Sequence, residues 1–352
     1  MGNDATCFPL VSVFRGDLVE SRHFGIISIV DSKGKELYRM GDSSRVVYLR
    51  SSAKPFQLLP LVEAGLGRRF SFTDKELAIM AASHSGQEFH VKTVMGILKK
   101  IGLEADSLLC GTHYPYDPET SARIKRGEFP LTSLHNCCSG KHAGMLARAV
   151  ANGYSLSDYI KPEHPIQVEN RRTLAEIIGV SPDDIEIGID GCGVPTFALP
   201  LKLAALAYAR LADPSFLPQP RAEALSRIAR AMQEHPEMVG GTHGRLDTEL
   251  MKVAFPKVVA KVGAEAFYGI GLLPGVLPGE KRGVGIAFKI EDGAWKRAVP
   301  PVAVELLHQL GVLSEGELKK LSSFHHPPVK NNRGEVVGEV RPSFDISKFK
   351  LS

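Results

Sequence analysis

Cysteine is scarce in this 352-residue chain, and the five present, Cys7, Cys110, Cys137, Cys138 and Cys192, are an odd and scattered set. That excludes a fully paired disulfide framework and suits a reducing compartment, where a cysteine is buried, binds a metal or does chemistry. Long hydrophobic runs are missing too. No segment approaches the roughly 18 apolar residues of a membrane span, and the N-terminus has neither the positive region nor the apolar stretch of a signal peptide. A cytoplasmic protein with no membrane partner is expected. The formal net charge of +4 is small for this length and is not gathered into a basic run. No stretch interleaves basic and aromatic residues, so nucleic acid is not an expected partner. Internal repeats are absent as well, which leaves an ordinary globular chain long enough for a large core or for two lobes.

What is there begins with strands. Short apolar runs at 10–14, 24–30, 36–40 and 46–49 read as β-strands, with Asp31-Ser32-Lys33-Gly34 as a hairpin-type turn. Beyond residue 51 the period changes: Leu58, Leu61, Val62 and Gly65 mark one face of a helix whose first turn tolerates Pro55. Thr73 and Glu76 form a capping box that opens the next helix. Val91, Val94, Ile97, Leu98 and Ile101 give another, and helical patterns recur at 141–151, 166–178, 199–211, 221–234 and 248–255. Strand character returns at 257–262, 267–270, 283–290 and 335–340, with two helices before the last strand, one at 302–310 and one opened by a Ser314/Glu317 capping box. Strands at both ends with helices between predict an α/β fold, one mixed sheet assembled from both termini with a mostly helical lobe inserted through the middle. The sheet-containing lobe is expected at 1–50 with 256–352, and the helical lobe at 51–255.

The handover from strand to helix falls in Leu49-Arg50-Ser51-Ser52-Ala53-Lys54-Pro55-Phe56. Ser51 and Lys54 stand three apart, which on a first helical turn puts both side chains on one face, where an amine could take a proton from an attacking hydroxyl. The same spacing at Ser32/Lys35 lies in a turn and at Ser347/Lys350 in the polar tail, where neither would meet a pocket. A simple helix cap is the alternative for Ser51 or Ser52. The serine acyl-enzyme pattern asks for two more pieces, a second hydroxyl element and a K-x-G on a late strand. Ala81-Ala82-Ser83-His84-Ser85-Gly86 and Lys261-Val262-Gly263 supply them. Two further Gly-rich turns hold Cys138 and Cys192, which with a nitrogen from Lys141 or His142 would make three metal ligands and an open position. Small buried cysteines in tight turns are the competing explanation.

Five stretches together carry a family likeness: Arg50-Ser51-Ser52-Ala53-Lys54-Pro55, Ala82-Ser83-His84-Ser85-Gly86, Asn136-Cys137-Cys138-Ser139-Gly140-Lys141-His142-Ala143-Gly144-Met145, Asp190-Gly191-Cys192-Gly193-Val194-Pro195 and Met238-Val239-Gly240-Gly241. They resemble the rhizobial-type L-asparaginases, also called class 3 or asparaginase II, and the resemblance extends to Asn332-Arg333-Gly334 and Gly338. It implies a fold similar to the serine β-lactamases and their related glutaminases, a homodimer, and hydrolysis of L-asparagine to L-aspartate and ammonia by two Ser/Lys pairs. Carried onto this sequence, the implied pairs are Ser51 with Lys54 and Ser83 with Lys261, Lys257 lying close to Lys261 on the same expected strand. Cys138, Lys141 and Cys192 are the implied zinc ligands. Arg50, His142 and Asp190 are the implied substrate contacts, the carboxylate of Asp190 meeting the ammonium and the guanidinium of Arg50 the carboxylate. In the implied mechanism Lys54 is the base toward Ser51, and Ser83 with Lys261 relays the proton. Zinc would orient the substrate or support the fold. Two other classes fit the same residues: a zinc hydrolase whose metal-bound water attacks, making Ser51 dispensable, and a non-catalytic amino-acid-binding protein on an enzyme scaffold.

Overall fold

The apolar runs read at both ends of the chain meet in one sheet. In the computed structural model, which describes residues 6–351, the strands are β1 (Phe8–Arg15), β2 (Leu18–Asp31), β3 (Glu36–Met40), β4 (Val46–Tyr48), β5 (Glu186–Ile189), β6 (Pro195–Pro200), β7 (Val258–Val262), β8 (Phe267–Leu272), β9 (Val284–Ile290), β10 (Pro328–Lys330) and β11 (Val336–Pro342). Eight of them form a sheet in the order β10-β11-β1-β2-β9-β8-β7, with β3 also paired to β2. The N-terminal strands and β9 therefore share a sheet, with Gly25 opposite Ile290 and Asp31 opposite Val284. Its ladders are antiparallel throughout, where a mixed sheet was expected. The reason is connectivity: β1 to β2 and β2 to β3 are joined by short turns, and a hairpin can only return antiparallel.

The chain divides into two units, one of Met1–Ser52, Leu199–Phe216 and Glu249–Ser352, the other of Ala53–Ala198 and Leu217–Thr248. This corrects the expected boundaries, because the helix Leu201–Ala212 belongs to the sheet unit and not to the helical lobe. It packs on β9, β8 and β2, and glycines on the strands make room for it. A Cβ at Gly285 would stand 1.8 Å from the Ala205 carbonyl oxygen, and one at Gly269 would stand 2.1 Å from the Tyr208 ring, so no larger residue fits at either position. A second helix, Trp295–Gln309, packs along β11, β1, β8 and β9. It begins seven residues before the expected 302, with Pro300 and Pro301 inside it.

The other unit is built on Lys54–Glu63, Asp74–Met80, Glu88–Lys100, Ser139–Asn152, Pro165–Ile178 and Gln219–Glu234, with a β5–β6 hairpin. Lys54–Glu63 is its hub and contacts Ser139–Asn152, Pro165–Ile178 and Gln219–Glu234. The Thr73 capping box is present in both arms: the Thr73 hydroxyl accepts from the Glu76 N–H at 3.3 Å, and the Glu76 carboxylate accepts from the Thr73 N–H at 2.7 Å. That fixes the start of Asp74–Met80, which ends beside Ser83. Among the described residues no helix is long and apolar enough to cross a membrane.

Candidate active site

The unit boundary falls between Ser52 and Ala53, inside the S-x-x-K stretch. Arg50, Ser51 and Lys261 thus belong to the sheet unit, and Lys54, Ser83, Cys138, Lys141, His142, Asp190 and Cys192 to the helical one.

In the sheet unit, Arg50 opens a 3₁₀ turn, Arg50–Ala53, from a left-handed backbone conformation at φ 50°. Such a conformation is costly for a residue with a Cβ and is a recurrent mark of a functional position. Ser51 follows it, half-buried. The cap alternative finds no support, because the helix Lys54–Glu63 starts at Ala53 with no side-chain cap bond. The fully buried Ser52 hydroxyl instead donates to the Lys261 carbonyl oxygen at 2.7 Å, and the Tyr208 hydroxyl donates to the Ser52 carbonyl oxygen at 2.8 Å. These bonds strap the Ser51 segment to β7. A Cβ at Gly263 would stand 2.5 Å from the Leu49 carbonyl oxygen, so the glycine of K-x-G is what permits this approach. Lys261 is fully buried, whereas Lys257 is engaged by the Glu317 carboxylate at 2.8 Å and the Val312 carbonyl at 2.7 Å. Of the two lysines on this segment, Lys261 is the one held beside Ser52.

In the helical unit, the Lys54 amine is fully buried and donates to the Ser83 hydroxyl at 2.9 Å and the Ala82 carbonyl at 2.5 Å, with the Cys137 carbonyl at 3.5 Å. A buried lysine and serine are thus in direct contact, a pairing that sequence spacing does not suggest. The Ser83 backbone is pinned from both sides, its N–H donating to the Val239 carbonyl at 3.1 Å and its carbonyl accepting from Arg245 at 2.8 Å. Arg245 also donates to the Ser85 hydroxyl at 3.0 Å, and that hydroxyl donates to the Gly240 carbonyl. Sequence reasoning missed Arg245. The available signal was the Gly240-Gly241 step before it, since a Cβ at Gly241 would stand 2.6 Å from the Ser85 oxygen.

The cysteines gather with Lys141 and Asp190. Cys138 ends the turn before the helix Ser139–Asn152, its N–H donating to the Asn136 side chain at 2.9 Å. Cys192 lies in the β5–β6 turn, closed by Asp190 N–H to the Val194 carbonyl and made possible by Gly193 at φ 87°. The Cys138 and Cys192 sulfurs and an Asp190 carboxylate oxygen all lie within 4.8 Å of one another. The Lys141 amine donates to the Cys192 sulfur at 3.1 Å and stands 4.0 Å from Asp190. Hydrogen bonding from Cys137 and Cys192 holds the Cys138 thiol well below the usual thiol range. Burial pushes the Lys141 amine down, but Cys192, Cys138 and Asp190 together outweigh it and hold the amine above its ordinary range. Two sulfurs, an amine and a carboxylate converging in this way are a donor set that fits zinc.

The same unit carries three buried histidines, His142 in the helix Ser139–Asn152, His90 in Glu88–Lys100 and His84 in the segment before it. His142 is driven down to about 3, by burial first and then by the charge of Lys141. His90 is driven down to about 4 and the fully buried His84 well below its ordinary value, both chiefly by burial. His84 and His90 stack with centroids 4.9 Å apart. A histidine depressed in the folded state binds fewer protons there than in the unfolded chain between its two pKa values, so stability falls as pH drops from the unfolded value near 6.5 toward 4. Urea unfolding at pH 7, 5.5 and 4.5 should show this loss, ~2 kcal/mol from His90 over that interval, and His90→Gln should flatten it. An equally steep profile in His90→Gln would rule this residue out.

The class of protein follows from comparison. Residues 11–342 match the family model of L-asparaginase II, and the chain belongs to that family. It is therefore an amidohydrolase of the asparagine/glutamine type. Solved structures similar to it include the Bacillus subtilis glutaminase YbgJ in covalent complex with 5-oxo-L-norleucine, at 14% identity and a TM-score of 0.37, covering 82% of this chain and 87% of that one. A probable glutaminase from Bacillus subtilis complexed with 6-diazo-5-oxo-L-norleucine is similar at 12% identity and a TM-score of 0.38, covering 82% and 84%. A Bacillus glutaminase in 4.3 M NaCl is similar at 13% identity and a TM-score of 0.36, covering 85% and 89%. Comparison with curated proteins finds no match.

Proposed function

We propose that the chain is an L-asparaginase that releases L-aspartate and ammonia through a serine acyl-enzyme. The observation that supports this reading best is the buried hydrogen bond between the Lys54 amine and the Ser83 hydroxyl, with Ser51 three residues before Lys54 on the same helical run. Ser51 is the nucleophile in this reading because it is only half-buried and can meet a substrate, whereas Ser83 is 5% exposed. Lys54 takes the Ser51 proton as the oxygen attacks the side-chain amide carbon. The carbon–nitrogen bond breaks, and ammonia leaves with a proton delivered through Ser83 and Lys261. Water then attacks the ester, returning the proton to Ser51 and freeing aspartate. Arg50 and Asp190 take the substrate's carboxylate and ammonium.

The reading includes zinc on Cys138, Lys141 and Cys192, with the Asp190 carboxylate beside them. Bound there, the ion would supply positive charge to orient an anionic substrate group. A homodimer in the cytoplasm is part of the same reading, drawn from the family likeness and from five unpaired cysteines. The deciding assay is ammonia release from L-asparagine and L-glutamine side by side. Asparagine turnover well above glutamine turnover is expected, and turnover of glutamine alone would reject the asparaginase assignment while keeping the amidohydrolase class.

A further inference from the structure

His142 has a protein partner at one ring nitrogen and, among the described residues, none at the other. Its Nδ1 lies 2.8 Å from the Tyr159 hydroxyl oxygen, and the Leu109 N–H donates to that same oxygen at 2.9 Å. A backbone N–H can only donate, so it occupies an oxygen lone pair, and the phenol hydrogen is left to find an acceptor. Nδ1 is that acceptor, since the opposite assignment would leave a buried O–H unpaired. The ring hydrogen is then on Nε2. That atom is fully buried and has no hydrogen-bond partner among the described residues. Tyr159 is itself fully buried and packs edge-on against the ring, with centroids 5.5 Å apart. The ring sits beside Lys141, Cys138 and Lys54, the groups around which the chemistry is placed.

We propose that Tyr159 is a positioning residue that holds His142 as an Nε2–H donor for an oxygen of the substrate. An N–H donor cannot face the substrate's ammonium, which has no acceptor, so His142 reads the α-carboxylate or the amide carbonyl. The inference rests on the asparaginase reading for its substrate, but not for the tautomer.

The test is histidine nitrogen NMR on the full chain with ¹⁵N-labelled histidine, the His142 signal assigned by its loss in His142→Gln. The parent should show hydrogen on Nε2, and adding L-aspartate should shift that proton. Tyr159→Phe should mix the two tautomers and raise KM for asparagine about tenfold, the weight of one hydrogen bond, with kcat nearly unchanged if the partner is the carboxylate. If the partner is the reacting carbonyl, kcat falls instead. In a His142→Gln background, where the amide donates without help from a tyrosine, Tyr159→Phe should change neither constant further. A tyrosine of purely structural importance would add its effect in both backgrounds, and that outcome overturns the inference. So does a parent spectrum with hydrogen on Nδ1, which is readable even if Tyr159→Phe does not fold. Absence of amide hydrolysis would sink the asparaginase reading alone, because the tautomer is read without turnover.

Discussion

Ser51→Ala and Lys54→Met should each reduce asparagine hydrolysis by at least about 10⁴-fold, and the double variant should be no worse than the poorer single one. Members of one catalytic unit are not additive, because removing either disables the other. Ser83→Ala should cost less, about 10²-fold, since it is assigned to proton delivery and not to attack. The variants separate cleanly from folding defects. Ser51 is half-buried and supplies no cap to the helix Lys54–Glu63, so Ser51→Ala should melt close to the parent. Lys54→Met keeps most of the stem packing but strips the Ala82 carbonyl and the Ser83 hydroxyl of a donor, at ~2 kcal/mol, so its activity must be measured on the folded fraction. Rates from Ser51→Ala within tenfold of the parent would refute the serine mechanism.

What could be read from the sequence was local. The Thr73/Glu76 and Ser314/Glu317 boxes are both present in the structure, because a capping box is closed by residues three apart and owes nothing to the rest of the fold. The Cys138 and Cys192 turns were found from their glycines, and the structure brings both sulfurs beside Lys141 and Asp190. Pro300 and Pro301 hid the first half of the helix Trp295–Gln309, since proline usually marks an end and here does not. The helix Leu201–Ala212 was recognised as a helix and given to the wrong unit. Its apolar period says that it packs on something, and only the stripe of Gly269 and Gly285, more than 50 residues away in sequence, says on what. The Lys54 to Ser83 bond, the Arg245 clamp and the Tyr159 to His142 contact have the same origin. Each joins residues with no fixed spacing, so no periodicity or motif could announce it.

Protein purified without chelator should contain about one zinc per chain, and Cys192→Ala should lower that content by tenfold or more, as expected when one of so few donors is lost. The donor set makes this a demanding test. The Lys141 amine is held protonated by the two cysteines and Asp190, so uptake must release its proton, and a buffer of low capacity should acidify as zinc is added. Unchanged occupancy in Cys192→Ala would dismiss the site. Cys138→Ala then distinguishes the two hydrolytic readings. If serine attacks and zinc orients, Cys138→Ala should weaken substrate binding while Ser51→Ala abolishes turnover with metal content intact. If Ser51→Ala keeps substantial turnover and Cys138→Ala loses it, the nucleophile comes from the metal centre, and the half-buried Asp190 carboxylate 3.8 Å from the Cys192 sulfur becomes the base to examine next.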